Sequence, residues 1–215
     1  RKRIGLGDLK ALPLVGPKLP EQQKIADCLY SIDELIVAQA QKIDALSDHK
    51  KGLLQQLFPA KDEAIPKRRF PEFRDAGEWG EFKLINVTDK KVKWSFIGGP
   101  FGSNLKSSDY TTDGIRIIQL QNIGDAEFID KYKIFTSEQK ANELLSCNIY
   151  PGEIILSKMG DPVGRACLIP KKNKRYLMCS DGIRLVVNEK LFSKFFIYSS
   201  INSVQFRERL ERAAT

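Results

Sequence analysis

A stretch of about forty residues between two prolines, Pro20 and Pro59, most constrains how this chain can fold. Between these prolines the sequence contains no further proline and a single glycine, Gly52. Pro20 suits the first turn of a helix, where its missing N–H costs nothing, and Glu21 places a negative charge at the positive end of the helix dipole. The sequence therefore predicts one long helix over residues 21–58.

Apolar side chains repeat along this helix with a period of seven. Two rows four residues apart form one seam, interrupted by Gln39 and made of Ile25, Leu29, Ile32, Ile36, Ile43, Leu46, Leu53 and Leu57. A strict seven-residue period makes an apolar seam that another helix must cover. The pattern predicts a coiled-coil spacer, and it leaves open the alternative of an ordinary core helix in a bundle.

The order of residues along this helix is similar to that of a known family. LPEQQKIADCLYSIDELI, followed by QKIDALSDHKKGLLQQLFP, resembles the long helical region of the specificity subunits of type I restriction-modification systems. The resemblance implies a non-catalytic DNA-reading subunit, with two recognition domains held apart by two antiparallel helices. It also implies docking to modification (methyltransferase) subunits and to a restriction-translocase subunit.

The family also suggests how the chain is divided. Residues 1–20 correspond to an approach segment that follows a recognition domain, so an upstream domain is expected to be missing, or the protein to be a permuted or half-sized form. Residues 21–58 correspond to the spacer helix and residues 59–78 to a surface linker. Residues 79–215 correspond to a target-recognition domain that begins at Trp79, Gly80, Phe82 and Leu84.

Length and charge are consistent with a folded DNA-binding protein. The chain has 215 residues, which allows one globular domain in addition to the helix. The net charge of +8 divides evenly, with 13 basic against 9 acidic residues before residue 70 and 22 against 18 from there on. Because no dense basic run carries the balance, discrete contacts are expected rather than non-specific binding to polyanions. Lys67 to Arg69 could contact phosphate, although a solvated surface is the plainer interpretation.

The cysteines and the single histidine do not predict a metal site. Cys28, Cys147, Cys167 and Cys179 lack C-x-x-C spacing, and His49 lies within the helix. We expect free thiols in a bacterial or archaeal cytoplasm, with no metal and no cofactor. We also expect no membrane partner, since no apolar run approaches the length of a bilayer span.

Residues 79–188 change to short apolar runs separated by glycines and polar turns. The strand-like runs are IRIIQLQNI (115–123), EIILSKM (153–159), RACLIP (165–170) and IRLVV (183–187). Residues 137–145 predict a short helix capped by Ser137, and residues 191–215 predict one or two helices. The fold class is α+β: a mixed domain with a mostly antiparallel, irregular sheet, attached to the long coiled-coil helix.

Candidate DNA contacts lie where strands meet polar loops. Amide side chains suit adenine, and basic side chains suit guanine edges or phosphate. The candidates are Ser103, Asn104, Lys106, Gln119, Gln121, Asn122, Lys158, Arg165 and Arg184. If residues 115–123 form one strand, Gln119 and Gln121 share a face. An exposed sheet edge without a ligand is the alternative.

Enzyme motifs are weak or missing, so no catalytic residue is predicted. The chain lacks the [DNS]-P-P-[YFW] loop of amino-methyltransferases and a Walker A motif. Glu138-Gln139-Lys140 matches the E-x-K ending of nuclease sites, but it falls within a predicted helix. The leading hypothesis is a module that reads one half of a split target in double-stranded DNA, paired with a second long helix from the same full-length subunit or from a second copy. The alternative is a coiled-coil scaffold whose globular domain binds protein.

Overall fold

The computed structural model describes residues 2–61 and 63–214. Arg1 and Thr215, at the ends of the predicted first and last segments, and Asp62 of the predicted linker lie outside these ranges. The chain divides into two compact units, the first ending at Gly52 and the second beginning at Leu53.

The predicted long helix is confirmed. A short helix, α1 (Leu6–Ala11), precedes α2 (Leu19–Leu57), which contains 39 residues and is about 58 Å long at about 1.5 Å per residue. The seam residues from Ile25 to Leu46 are between 47% and 62% exposed. The apolar stripe that the heptad pattern predicts is thus solvent-accessible over most of the helix.

The described part of the second unit contains two sheets in place of the one irregular sheet expected. The four-stranded sheet has the order β1-β9-β6-β7, and the five-stranded sheet has the order β2-β4-β3-β8-β5. The strands are β1 (Phe96–Gly98), β2 (Tyr110–Thr111), β3 (Ile115–Ile118), β4 (Ile134–Thr136), β5 (Asn148–Ile149), β6 (Ile154–Ser157), β7 (Ala166–Leu168), β8 (Tyr176–Met178) and β9 (Gly182–Leu185). Every neighbouring pair is antiparallel except β3 and β8, so the predicted α+β class with a mostly antiparallel arrangement is confirmed.

Alternation along β6 explains how the layers pack. Ile155 contributes to a buried cluster with Ile118 and Met178 of the five-stranded sheet. Ile154 and Leu156 point to the opposite face, as neighbours on a strand do, and join a cluster with residues of the helix α4 (Lys194–Ile201). The four-stranded sheet therefore lies between the second sheet and the C-terminal helices.

Serine hydroxyls cap the three remaining α-helices of the described residues. Ser137 accepts a hydrogen bond from the N–H of Lys140 at the start of α3 (Glu138–Glu143), which confirms the predicted helix and its cap. Ser193 caps α4, and Ser203 caps α5 (Val204–Ala213). Residues 191–215 thus form two helices within their described part.

Three aromatic rings fix the chain that enters the second unit. Phe58 stacks on Phe196 of α4 with centroids 5.4 Å apart, and Trp79 lies 5.9 Å from the Phe58 ring and 5.7 Å from the Phe196 ring. The N–H of Trp79 also donates to the carbonyl of Ala64 at 2.9 Å. The predicted start of the recognition domain therefore packs against the residue that follows α2.

The predicted strands are shorter in the structure, and one of them ends for a clear reason. β3 stops at Ile118 because the side-chain oxygen of Asn122 accepts the backbone N–H of Gln119 at 2.9 Å, which draws residues 120–122 into a 3-10 turn. The expectation that Gln119 and Gln121 share a strand face is therefore wrong. The two side chains meet instead across this turn.

Candidate nucleic-acid interface

The candidate interface is built around a three-residue connection, Cys179–Asp181, that joins the two sheets. β8 of the five-stranded sheet ends at Met178, and β9 of the four-stranded sheet begins at Gly182. Because the connection is so short, the end of one sheet and the start of the other lie side by side. We refer to it as the central connection.

On the five-stranded side, the parallel pairing of β3 and β8 brings Gln119 next to the central connection. Ile118 pairs with Met178, and the N–H of Cys179 donates to the carbonyl of Ile118 at 3.0 Å. Parallel strands end at the same edge of a sheet, so the residues that follow them leave the sheet together.

On the four-stranded side, two antiparallel neighbours of β9 end at the same place. The N–H of Gly99, after β1, donates to the carbonyl of Gly182 at 2.8 Å, and the N–H of Lys158, after β6, donates to the carbonyl of Asp181 at 2.6 Å. The loops that follow β1 and β6 therefore border the central connection as well. Four separate chain segments meet at this point.

Glycine is required at position 99 for this approach. A Cβ atom there would lie 1.7 Å from the carbonyl oxygen of Cys179, well inside van der Waals contact. Gly99 thus permits the close contact between the loop after β1 and the central connection.

A polar recess of about 200 Å³ opens between these segments. Its lining comes from the loop after β1, the start of β2, the turn after β3 and the central connection: Pro100, Gly102, Leu105, Tyr110, Gln119, Leu120, Gln121, Cys179, Ser180 and Asp181. The Nε2 of Gln121 donates to the Oε1 of Gln119 at 2.8 Å, so the two amides form one hydrogen-bonding group. Burial raises the pKa of the Cys179 thiol, which therefore stays protonated at neutral pH.

No family model matches the chain. It is 21% identical over 202 residues to the type I restriction enzyme MjaVIII specificity subunit of Methanocaldococcus jannaschii, covering 91% of this chain and 45% of that protein. It is 26% identical over 210 residues to a protein assigned as the MjaX specificity subunit of a type I restriction enzyme in the same organism, covering 94% of this chain and 44% of that protein. The chain resembles type I specificity subunits. It spans slightly less than half the length of these relatives, and the resemblance predicted from the helical motif is confirmed.

Solved structures of type I systems also match the chain. One is a chain from a study of complex assembly and conformational transition of the type I R-M system, with 20% identity, 91% of this chain and 43% of that chain covered, and a TM-score of 0.49. Another is the HsdS subunit from Thermoanaerobacter tengcongensis, which is 18% identical and has a TM-score of 0.48; the match covers 93% of this chain and 44% of that chain.

Seven of the nine predicted contact residues lie on or beside the segments that meet at the central connection. Gln119 and Gln121 line the recess directly. The others occupy the loops after β1 and β6, where Ser103, Asn104, Lys106 and Lys158 are exposed and Arg165 is half-buried.

Asn122 and Arg184, the remaining two, are engaged inside the protein. Asn122 is fully buried, and its Nδ2 donates to the carbonyls of Ile129 at 3.0 Å and Lys131 at 2.7 Å. Arg184 is 4% exposed, and its guanidinium binds the carboxylate of Glu153. Burial gives both side chains internal roles, so neither is available to a base edge in this conformation.

Two residues of α5, Arg207 and Leu210, contact the loop after β6 and support it. Nη1 of Arg207 donates to the carbonyl of Val163 at 3.4 Å, and its Nη2 binds Asp125 at 2.6 Å. Leu210 packs so closely under Gly164 that a Cβ atom there would lie 2.5 Å from its Cδ1. Burial lowers the pKa of Arg207, although the guanidinium remains charged at neutral pH. The C-terminal helix thus supports the loop that carries Lys158 and Arg165.

Sequence reasoning missed Ser180 and Asp181. Both line the recess, and the Oγ of Ser180 donates to the Oδ1 of Asp181 at 3.0 Å. The available signal was the polar sequence Ser-Asp-Gly just before the strand-like run at 183–187, a typical turn. What the sequence did not indicate is that this turn would lie where both sheets end.

Neither a metal site nor a membrane-spanning helix is found in the part of the chain that the structure describes. Over residues 2–61 and 63–214, no three histidine, cysteine, aspartate or glutamate side chains are grouped so that they could hold a metal ion. In the same ranges no helix combines the length and apolarity needed to cross a bilayer.

Proposed function

We propose that the chain is a DNA-recognition module of a type I restriction-modification system, in which the second unit reads a sequence in double-stranded DNA. One observation carries the proposal: segments distant in sequence bring Gln119, Gln121, Lys158 and the loop after β1 to a single edge of the two sheets. Amide groups suited to base edges and basic groups suited to phosphates are thereby presented together.

The surroundings of the recess match the demands of duplex recognition. Lys106 and Lys158 are exposed on loops at its border, where they would bind phosphates and fix the register of the protein on DNA. The Gln119–Gln121 pair, held by the Asn122 turn, would then meet a base edge in the major groove. These residues bind and position DNA, and the proposal assigns them no catalytic step.

The long helix gives the proposal its second part. Its exposed seam would pair with a second long helix, from the same full-length subunit or from a second copy, so that this chain reads one half of a bipartite target. Tyr30 and Val37, seven residues apart and 65% and 56% exposed, form a further apolar surface on which modification and restriction-translocase subunits would dock. The relatives named as specificity subunits of restriction enzymes support this arrangement.

The direct test is selection of duplexes from a randomised library by the 215-residue chain, alone and with its modification subunits. We expect one enriched sequence and a binding constant that falls steeply with salt concentration, measured by fluorescence anisotropy. Binding without sequence preference, or no binding in either setting, would contradict the proposal. It would favour the alternative of a protein-interaction scaffold, to which the exposed seam also lends itself.

The spacer role has its own experiment. Inserting seven residues between positions 40 and 46 keeps the heptad register and adds about 10 Å. In the assembled complex this corresponds to about three base-pair rises of about 3.4 Å. We expect a longer gap between unchanged half-sites in the selected target. An unchanged gap would contradict the role of the helix as a spacer.

A further inference from the structure

Asp181 has features that the proposed function does not yet explain. Among the described residues that line the recess, it alone carries a carboxylate. That carboxylate accepts a hydrogen bond from Ser180, and within residues 2–61 and 63–214 no lysine, arginine or histidine nitrogen lies within 4.0 Å of it. Most of its hydrogen-bonding capacity is therefore unused by the protein.

The backbone holds this carboxylate in a fixed place. The carbonyl of Asp181 accepts the N–H of Lys158 at 2.6 Å, and the next residue, Gly182, begins β9. The two residues that flank Ser180 and Asp181 are also bound to strand ends: the N–H of Cys179 donates to the carbonyl of Ile118, and the carbonyl of Gly182 accepts the N–H of Gly99. The side chain thus extends from a rigid support at the recess.

An ionised carboxylate accepts hydrogen bonds and donates none. Phosphate and sugar oxygens of DNA are acceptors, and phosphates repel a negative charge, so the backbone of a duplex offers Asp181 nothing to bind. The exocyclic amino groups of cytosine and adenine are the donors that the major groove presents. A carboxylate at a DNA-facing recess therefore requires a base edge with an amino group.

Cytosine fits this carboxylate better than adenine. Adenine places the N7 acceptor beside its N6 amino group, where the second carboxylate oxygen would meet a lone pair, whereas the edge of cytosine itself carries only C5–H beside its N4–H₂. The guanine opposite presents two acceptors and so offers the carboxylate nothing to bind. The recess has a volume of about 200 Å³, which is smaller than the roughly 300 Å³ of the smallest small-molecule sites. A base edge is therefore a better ligand for it than a free small molecule.

We propose that Asp181 is a specificity-determining residue that accepts a hydrogen bond from the N4 amino group of a cytosine in the DNA target. The inference rests on the proposed function and deepens it, because it names one base and the residue that reads it. Ser180 is a positioning residue, since its hydroxyl orients the carboxylate from within the protein.

The test compares Asp181→Asn with wild type in the duplex selection. The wild-type target should contain a cytosine whose preference is lost, or changed to adenine, in Asp181→Asn, because asparagine pairs with the N6 and N7 of adenine. Asp181→Glu keeps the carboxylate and should keep the cytosine preference with weaker binding. Asp113→Asn is the matched control, since Asp113 precedes β3 and is not among the residues that line the recess; its selected sequence should be that of wild type.

A modified base provides the second arm. Replacing the identified cytosine by 2-pyrimidinone, which lacks the amino group, should weaken wild-type binding about 5- to 100-fold and should not weaken Asp181→Asn further. An unchanged base preference in Asp181→Asn, or a change at a position that is not cytosine, overturns the inference while the wild-type selection still supports the proposed function. If the wild type selects no sequence, the inference about Asp181 and the proposed function are both contradicted. Thermal unfolding of each variant identifies a folding defect, in which case the Asp181→Glu result and the pyrimidinone arm decide.

Discussion

Arg184 and Glu153 form a buried ion pair that links β9 to the residue before β6. Nη2 of Arg184 lies 2.6 Å from Oε1 of Glu153, and its Nε lies 2.8 Å from Oε2. The side chains are 5% and 15% exposed. The guanidinium also lies 5.3 Å from the ring centroid of Tyr150. The pair therefore contributes to the stability of the four-stranded sheet, whose strand β1 leads into a loop that lines the recess.

Glu153→Ala should destabilise the second unit. Removing one partner of a buried pair leaves the other charge uncompensated, so we expect the free energy of unfolding to fall by about 3 kcal/mol, measured by urea denaturation. Glu189→Ala is the matched control, because its bridge to Lys194 is more exposed, and its effect should stay below about 1 kcal/mol. Equal effects of the two variants would show that the Arg184–Glu153 pair contributes no more to stability than the exposed Lys194–Glu189 pair.

Gly99→Ala should disrupt the junction of the two sheets. The added methyl would lie 1.7 Å from the backbone oxygen of Cys179, so the loop after β1 must move away. We expect a loss of stability of at least about 2 kcal/mol. Gly102→Ala is the control in the same loop, because nothing lies within 4 Å of its Cβ position, and it should unfold like wild type in thermal denaturation. A stable Gly99→Ala would contradict the close approach described here.

Asn122→Asp separates a structural role of Asn122 from base reading. The substitution replaces the Nδ2 donor by an acceptor facing the carbonyls of Ile129 and Lys131. We expect the free energy of unfolding to fall by about 2 kcal/mol, since buried acceptors are left without a donor. The selected DNA sequence should stay the same while affinity falls. A changed base preference with unaltered stability would instead make Asn122 a base-contacting residue.

Lys158→Ala should weaken DNA binding without changing the selected sequence. A lysine on phosphate contributes about one released counterion, so the slope of log affinity against log salt should decrease by about 1. Lys174→Ala is the control, because Lys174 is exposed at the amino end of β8, away from the recess at its carboxyl end. Its salt dependence should match wild type. The opposite ranking would place DNA at the other edge of the sheets.

Ile36→Asp should reduce pairing of the long helix. The substitution places a charge in the middle of the seam, which a partner helix would have to bury. We expect a loss of self-association of the chain, or of its association with a second long helix added separately, in sedimentation experiments. Gln41→Asp adds the same charge away from the seam and should associate normally. Association that survives Ile36→Asp would assign pairing to another surface, such as that of Tyr30 and Val37.

Local signals explain why the helices were predictable. The seven-residue period from Ile25 onwards and the serine at position 137 act within a few residues of sequence, so the long helix and the cap of α3 follow from short-range chemistry. The end of β3 was missed because Asn122 binds the backbone of Gln119 through its side chain. Amide side chains that bind the backbone compete with strand pairing, which a pattern of apolar residues does not register.

The candidate site was predictable in its parts and not in its assembly. Glutamines and lysines near turns indicated DNA contacts, but the parallel pairing of β3 with β8 joins residues some sixty positions apart. No local pattern specifies which strands become neighbours. The topology of the sheets therefore places Asp181 and Gln119 in the same recess, which the sequence did not indicate. Arg184 is not exposed to DNA because its guanidinium binds the carboxylate of Glu153.

The central connection is only three residues long, and this limits how the recess could adapt when a DNA duplex binds. With Cys179, Asp181 and Gly182 each hydrogen-bonded to a different strand end, the recess cannot widen unless sheet pairing is broken. Binding would then proceed by rigid-body docking with little ordering entropy at this point. Differences in affinity between targets would accordingly appear in the dissociation rate, while encounter rates stay nearly the same from one sequence to another.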